Sequence, residues 1–390
     1  MDGKATNNVS DASPPTEISP EKSKKRGFNR RQMLLAGGAG GIGLFVGACG
    51  STSSNSTGSS SAATSTASSS SGLAQTKKGS LVYVGAGGGD YELGIQVGFH
   101  EALTPLGWSF QALIPQGPGT GPEVTKLIEQ AIARSPTALA VAYPGSGAAV
   151  QQIHQAHQQL PFVICTNQFD NPYTLKEGLA FVGQDVEAAG TLGMQKLLGL
   201  ITAKGKKSGT IICGNEAPGG SSILARFQGA ELAVKAYNAA NGSTFTLINM
   251  PDFATEGAKG VETYKAKSLQ LGDNLAGIYT LGFDSTALMP SVGAAIGLKP
   301  GELVIGGFDT GPAVSKAIQD GWVQFTIDQQ FYSQGSISGW LSWQAVNRDQ
   351  VPPPISNTGA AFVDKSNITS IAARDNQLQA LAKQYGFTAA

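Results

Sequence analysis

Residues 275–329 constrain the fold of this chain most. Two short apolar segments there, 275–280 and 303–307, each run into the same triplet, Gly282-Phe283-Asp284 and Gly307-Phe308-Asp309. Between them, residues 285–298 carry Ala287, Leu288, Val292, Ala295 and Ile296 at helical spacing, and Lys299-Pro300-Gly301 closes the run. The unit reads strand, helix, strand. A connection of that length makes the two strands parallel. Parallel strands of an open α/β sheet hold ligands beyond their carboxyl ends, where the triplets place Phe283, Asp284 and Asp309. A third strand over 322–327 ends in Asp328-Gln329-Gln330, so three successive elements deliver polar side chains to one edge. Asp309 also has a second reading, as the N-cap of a helix over 312–320.

The rest of the body repeats this alternation. Strands are expected over 80–84, 108–114, 137–142 and 161–165, separated by helices over 91–106, 122–134 and 146–159. After a crossing segment at 179–183 a fresh series begins: helix 186–203, strand 209–213, helix 222–241, strand 244–249 and helix 256–271. A helix over 331–348, a break at Pro352-Pro353-Pro354, a short strand at 360–363 and a helix over 371–385 finish the chain. Regular alternation argues parallel sheets with helices on both faces, and the restart argues two lobes. The expected fold is therefore two doubly wound α/β lobes, crossed near Gly183, Asp328 and Pro354 by a three-segment hinge.

A chain of 390 residues, 41% apolar and 14% charged, buries a full core. Lys plus Arg equals Asp plus Glu at 27 each, so no overall field draws it to nucleic acid, and a neutral small molecule is the expected partner. The first 28 residues are polar and have no apolar period. Arg30-Arg31 then precedes an uncharged apolar stretch, 33–48, with the layout of a cleaved signal, and the arginine pair resembles a twin-arginine export signal. Val46-Gly47-Ala48-Cys49 resembles a lipoprotein box, in which Cys49 takes the lipid; the alternative is an anchor left uncut. The Ser, Thr, Ala and Gly run that follows cannot bury apolar surface and reads as a flexible tether. These features divide the chain into a signal (1–48), a tether (49–77), an N-terminal lobe (78–183 with 330–352), a C-terminal lobe (184–329 with 353–366) and a C-terminal helix (367–390).

Several motifs are absent. From Gly85 or Gly87 the last glycine of G-x-G-x-x-G falls on Asp90 or Glu92, so the dinucleotide fingerprint fails. Tyr91, opening the helix after that loop, is either a ligand-facing residue or a staple on the sheet. His154 and His157 have no third ligand motif and read as a solvated helix face. There is no G-x-S-x-G, H-E-x-x-H or C-x-x-C, so no catalytic residue, cofactor or metal is expected. Arg226, one turn into the helix after the Pro/Gly loop 215–220, can fork hydrogen bonds to a hydroxylated ligand, or pair with Glu231 or Asp284. Cys165 and Cys213 end strands in different lobes and are expected to be unpaired buried thiols.

From about residue 80 to 365 the chain resembles the type I periplasmic-binding fold of ribose- and other sugar-binding proteins of ABC importers. The motifs that carry the resemblance are Tyr143-Pro144-Gly145-Ser146-Gly147-Ala148-Ala149-Val150 with Leu160-Pro161-Phe162-Val163, Arg226-x-x-Gly229, Asp284 before Ala287-Leu288, Gly307-Phe308-Asp309, and Phe325-Thr326-Ile327-Asp328-Gln329. The resemblance implies ligand contacts from Tyr91, Asn167, Arg226, Asp309 and Gln329, with Phe283 and Asp284 beside them. Two positions depart from the pattern. Phe283 stands where sugar binders often carry Asn, and Asn167-Gln168 replaces an Asp-Arg pair. The implied function is a lipid-anchored, monomeric solute-binding protein at the outer face of the cell membrane that delivers a sugar or polyol to an ABC permease. A sensor presenting its closed state to a membrane receptor, or an exported enzyme, are the alternatives.

Overall fold

The computed structural model describes residues 77–87, 89–116, 121–142, 149–167 and 176–389. The segment expected to direct export, Cys49, residues 143–148 and Gln168 lie outside them. The first sheet is laid down by β1 (Ser80–Val84), β2 (Ser109–Leu113), β3 (Ala138–Val141), β4 (Phe162–Thr166) and β5 (Ala180–Gly183). Helices α1 (Asp90–Leu103), α2 (Gly121–Ala133) and α3 (Val150–Gln159) connect its first four strands. Alternation along β1 sorts the core: Leu81 and Tyr83 pack with α1, while Val82 and Val84 pack with α2 and α3.

The chain then leaves for a second sheet. It runs through α4 (Val186–Ala203), β6 (Ser208–Asn215), α5 (Ser221–Asn241), β7 (Thr244–Pro251), α6 (Ala258–Leu271), β8 (Leu275–Thr280), α7 (Phe283–Ala295), β9 (Val304–Phe308), α8 (Pro312–Gln319) and β10 (Phe325–Asp328). It returns as α9 (Phe331–Arg348), which packs on α1. The remaining elements are β11 (Ile355–Asn357), β12 (Ala361–Asp364) and α10 (Ile368–Tyr385). The strand orders are β11-β5-β4-β3-β1-β2 and β12-β10-β9-β8-β6-β7. Every neighbouring pair is parallel except β10 with β12. The two orders superimpose position for position, so the lobes are two copies of one plan, doubly wound as the alternation predicts.

Two differences from expectation bear on the crossings between the lobes. Residues 353–366 do not all join the second lobe: β11 pairs with β5 in the first sheet, so the third crossing lies at 358–360 rather than near Pro354. The strand expected from residue 322 starts at Phe325, because the Trp322 amide donates to Ala317 O and extends the end of α8. The three crossings are tied together. Thr358 Oγ1 donates to Gln329 O (3.0 Å), Gln330 Nε2 to Thr358 O (2.6 Å), Gln184 Nε2 to Gly359 O (3.0 Å) and the Thr358 amide to Gly183 O (2.8 Å). Such a knot keeps the hinge strands in register while their dihedrals absorb a change in lobe angle.

Each lobe also has one very close helix pair. A Cβ on Gly98 or Gly335 would strike the backbone of the partner helix in the α1/α9 pair, and the same holds for Gly190 and Gly229 in the α4/α5 pair. Cys165 and Cys213 are free and fully buried. Burial pushes the Cys165 thiol up to about 12, and burial with the nearby Glu231 charge also raises Cys213. Neither is a thiolate at neutral pH, so a maleimide is expected to leave both unmodified in the folded chain and to label both in denaturant. Rapid labelling of Cys165 or Cys213 in the native protein, read by peptide mapping so that Cys49 is set apart, would contradict this packing.

Candidate functional site

The carboxyl ends of both parallel sheets face one cavity of about 430 Å³. Tyr91, Asn167, Arg226, Phe283, Asp284, Asp309 and Gln329 all line it, together with Glu216 and Phe331. Each side chain arrives by the same route: a strand ends, and the next residue or the first turn of the next helix projects into the gap. Tyr91 opens α1, Asn167 follows β4, Glu216 follows β6, Phe283 and Asp284 open α7, Asp309 follows β9, and Gln329 follows β10.

Asn167 and Asp309 are equivalent positions in the two sheets. Both take left-handed backbone, with φ of 69° and 70°, a conformation that Asn and Asp tolerate better than most residues. Each donates its amide to the neighbouring strand, Asn167 to Val182 O (2.9 Å) and Asp309 to Ile327 O (2.8 Å). That turn swings the side chain out of the sheet and into the cleft. Gly311 occupies the N-cap position of α8 and no side chain caps that helix, so Asp309 is not its cap. Its carboxylate instead accepts from Gln329 Nε2, which holds two of the cavity's polar groups side by side. Burial raises the Asp309 carboxyl from its ordinary value, opposed by Arg226 and by the Gln329 bond.

Arg226 is buried at 4% exposure and makes no ion pair with Glu231 or Asp284. One guanidinium nitrogen donates to Leu281 O (2.6 Å), and the planar group lies 4.1 Å from the centre of the Phe308 ring. Its Nε has no partner, and neither has Asn167 Nδ2. Buried donors left open in this way are costly unless something enters the cavity to accept from them.

The two identical triplets do different work. The β8/β9 register sets Tyr279 beside Gly306, so Gly282-Phe283-Asp284 lies two residues farther along than Gly307-Phe308-Asp309. Phe308 is therefore buried beneath Arg226, whereas Phe283 opens a helix and lines the cavity.

Two lining residues escape sequence reading. Glu216 lies in the Pro/Gly loop after β6, and its Oε2 accepts from the Ser285 amide at the start of α7 (2.8 Å). Gly282 leaves room for that carboxylate, which a Cβ would strike. Burial, then Asp284, pushes Glu216 up to about 8. Phe331 sits 5.4 Å from Tyr91, ring centre to ring centre, and the two form an aromatic wall. Tyr91 thus both lines the cavity and packs on the core of its own lobe.

In the glycine loop the Ala86 amide donates to the buried Glu92 carboxylate (3.0 Å) and is not free to hold a phosphate. Burial raises that carboxyl to about 7. His154 pairs with Glu177 and His157 is exposed, a solvated helix face. Among the described residues no group of three or more His, Cys, Asp or Glu could hold a metal ion. None of their helices is long and apolar enough to cross a membrane.

A second cavity, of about 390 Å³, lies between α1, the start of α9 and α10. Its one arginine is engaged by the wall itself: Arg374 donates to Asp328 (2.5 Å), Asp375 (2.7 Å) and Thr310 (3.1 Å). The open donors lie in the interlobe cavity instead.

Two like-built α/β lobes, three hinge crossings and a polar cavity with an aromatic wall define a two-lobed, hinged binding protein. The family model for the periplasmic binding protein domain matches residues 81–350, and the chain belongs to that family. A curated relative, the xylose/arabinose-binding protein of Sulfolobus acidocaldarius, is 26% identical over 207 residues, covering 52% of this chain and 47% of that protein. The chain therefore matches about half the length of that relative. Three solved structures share the fold. A solute-binding protein of Burkholderia graminis in complex with D-arabinose is 21% identical, covers 76% of this chain and 99% of its own, and has a TM-score of 0.64. A carbohydrate transporter of Acidothermus cellulolyticus in complex with myo-inositol is 20% identical, with 77% and 99% covered and a TM-score of 0.64. A solute-binding protein of Agrobacterium vitis with bound D-fucose is 20% identical, with 76% and 99% covered and a TM-score of 0.66.

Proposed function

We propose that this chain is the solute-binding component of an ABC importer. In this reading it is exported, held at the outer face of the cell membrane through lipidated Cys49, and works as a monomer. Its lobes close over a monosaccharide or related polyol, which is then passed to the permease without chemical change. The observation that carries the reading is the convergence of Tyr91, Asn167, Arg226, Phe283, Asp284, Asp309 and Gln329 on one interlobe cavity. Carboxylate, amide and guanidinium groups replace the water around ring hydroxyls, and the Tyr91 and Phe331 rings cover the apolar face of the ring. Because the polar groups come from both lobes, the full set is made only on closure, which couples occupancy to shape. The relatives' bound arabinose, inositol and fucose agree in size and chemistry with such a ligand.

A ligand that binds only the folded state raises the melting midpoint. A thermal-shift panel of pentoses, hexoses and inositols is therefore expected to contain at least one compound that raises the midpoint in proportion to the logarithm of its concentration. A flat response across the panel and across the amino forms of its members would refute the polyol reading.

A further inference from the structure

The charges around the interlobe cavity do not balance. Glu216, Asp284 and Asp309 line it, and Arg226 is the one cation among the described lining residues. None of the three carboxylates is in an ion pair among the described residues. Arg226 acts on Asp309, its guanidinium committed to Leu281 O and the Phe308 ring. Glu216 and Asp284 have no such neighbour. Glu216 faces Asp284 on α7, Asp309 after β9 and Asp252 after β7. Tyr264 of α6 lies behind it, and Tyr91 of α1 faces Asp309, Glu216 and Asp284 from the other lobe. Asp252 is spent on Tyr264, Ser285 and the Ala254 amide. Residues 117–120, 143–148 and 168–175 contain no Lys, Arg or His, so the undescribed segments of these lobes bring no cation of their own.

Closed over a neutral polyol, the cavity would keep Glu216 in its protonated form and take the Asp284 carboxylate out of water without a counter-charge, which is costly. A metal ion does not supply the missing charge, since among the described residues no group of three or more His, Cys, Asp or Glu could hold one. The missing charge is better carried by the ligand. The open donors Asn167 Nδ2 and Arg226 Nε, both more than nine-tenths buried, independently mark the cavity as built for a molecule with acceptor oxygens. We propose that the ligand is a polyol bearing a protonated amine, an amino sugar or an aminocyclitol, whose ammonium group lies against Glu216 and Asp284 while its hydroxyls meet Asp309, Asn167, Arg226 and Gln329. This deepens the polyol reading and rests on it.

The sign of the proton linkage follows. Glu216, near 8 in the empty cleft, holds a proton at pH 7, and an ammonium beside it favours the carboxylate. Binding therefore releases a proton. Affinity is expected to rise with pH, by up to about tenfold per unit between roughly pH 6 and 8, as long as the ligand's own amine stays protonated.

The test is titration calorimetry on the full chain at pH 7, in two buffers of different ionisation heat. The probes are glucosamine, galactosamine and an inosamine, each with its neutral parent (glucose, galactose, myo-inositol), and the N-acetyl form of each sugar. At least one amine is expected to bind about tenfold or more tightly than its parent, with proton release, and to lose that gain on N-acetylation. Glu216→Gln and, separately, Asp284→Asn are expected to reduce the amine-to-parent ratio, with a urea melt confirming that each variant folds. Neutral parents that bind as tightly as the amines would overturn this inference and leave the polyol reading standing. An unchanged ratio in both variants would overturn it too, as would calcium chloride alone raising the melting midpoint and competing with the probes. Binding by neither amines nor parents would remove the polyol reading itself, and this inference with it.

Discussion

Replacing Asp309 with alanine is expected to weaken ligand binding about 30- to 1,000-fold, roughly 2–4 kcal/mol. The carboxylate stands at the carboxyl end of β9, nearly buried, with only Gln329 Nε2 as its hydrogen-bond partner. Its free lone pairs face the cavity, where an ionised acceptor takes two neighbouring hydroxyls of one ring in strong, charge-assisted bonds. Alanine removes those acceptors, and it also adopts left-handed backbone less readily, so the ligand-free protein is expected to lose about 1–2 kcal/mol as well. Asp309→Asn separates the two effects, since asparagine tolerates the turn and removes only the charge. Titration calorimetry beside a urea melt checks both variants. A dissociation constant unchanged in the alanine variant, with a lower urea midpoint, would reduce Asp309 to a structural residue.

The second large effect is expected at Gly229. It lies one turn beyond Arg226 on α5, where that helix rests on α4 with nothing between the backbones. An added Cβ would strike the Glu187 carbonyl oxygen and lie 2.8 Å from the Thr191 amide nitrogen, and neither backbone group can swing aside as a side chain would. Gly190 across the interface faces the Arg226 carbonyl in the same way. Gly229→Ala must push the helices apart, at a cost of about 3 kcal/mol. Because Arg226 rides on the displaced turn, ligand affinity should fall together with stability. A melting curve and a titration on the same preparation check this. A midpoint within a degree of the parent would show that the helix pair has slack.

The alternation of apolar strands and amphipathic helices made the lobes and their strand ends readable, because that pattern repeats in each half. It also made most of the site readable, since a residue just past a parallel strand has little choice about where it points. Asp309 and Gln329 are legible on that ground, and Asn167 through the family resemblance. Glu216 is not, although the loop that holds it is. A lone carboxylate in a Pro/Gly loop carries no signal, and only the pairing of β6 with β8 brings it to the Ser285 amide. Phe331 reads as the first core residue of a helix, and only the packing of α9 on α1 sets its ring by Tyr91. The third crossing is not legible because β11, only three residues long and directly after a proline run, is too short to show alternation. The two triplets looked equivalent because a sequence does not reveal where a strand stops relative to its neighbour. The register does, and it separates a ring beneath Arg226 from a ring on the cavity wall.

The central claim is that the ligand lies between the lobes, among the strand ends. A crystal structure grown with whichever compound raises the melting midpoint most tests this directly, because another cavity of similar size lies beside Arg374. The account predicts one ring in the interlobe cavity, with hydroxyls within hydrogen-bond reach of Asp309, Asn167, Arg226 and Gln329 and the rings of Tyr91 and Phe331 close by. Density for the ligand in the cavity beside Asp90, Arg374 and Asp375, with the interlobe cavity empty, would contradict it.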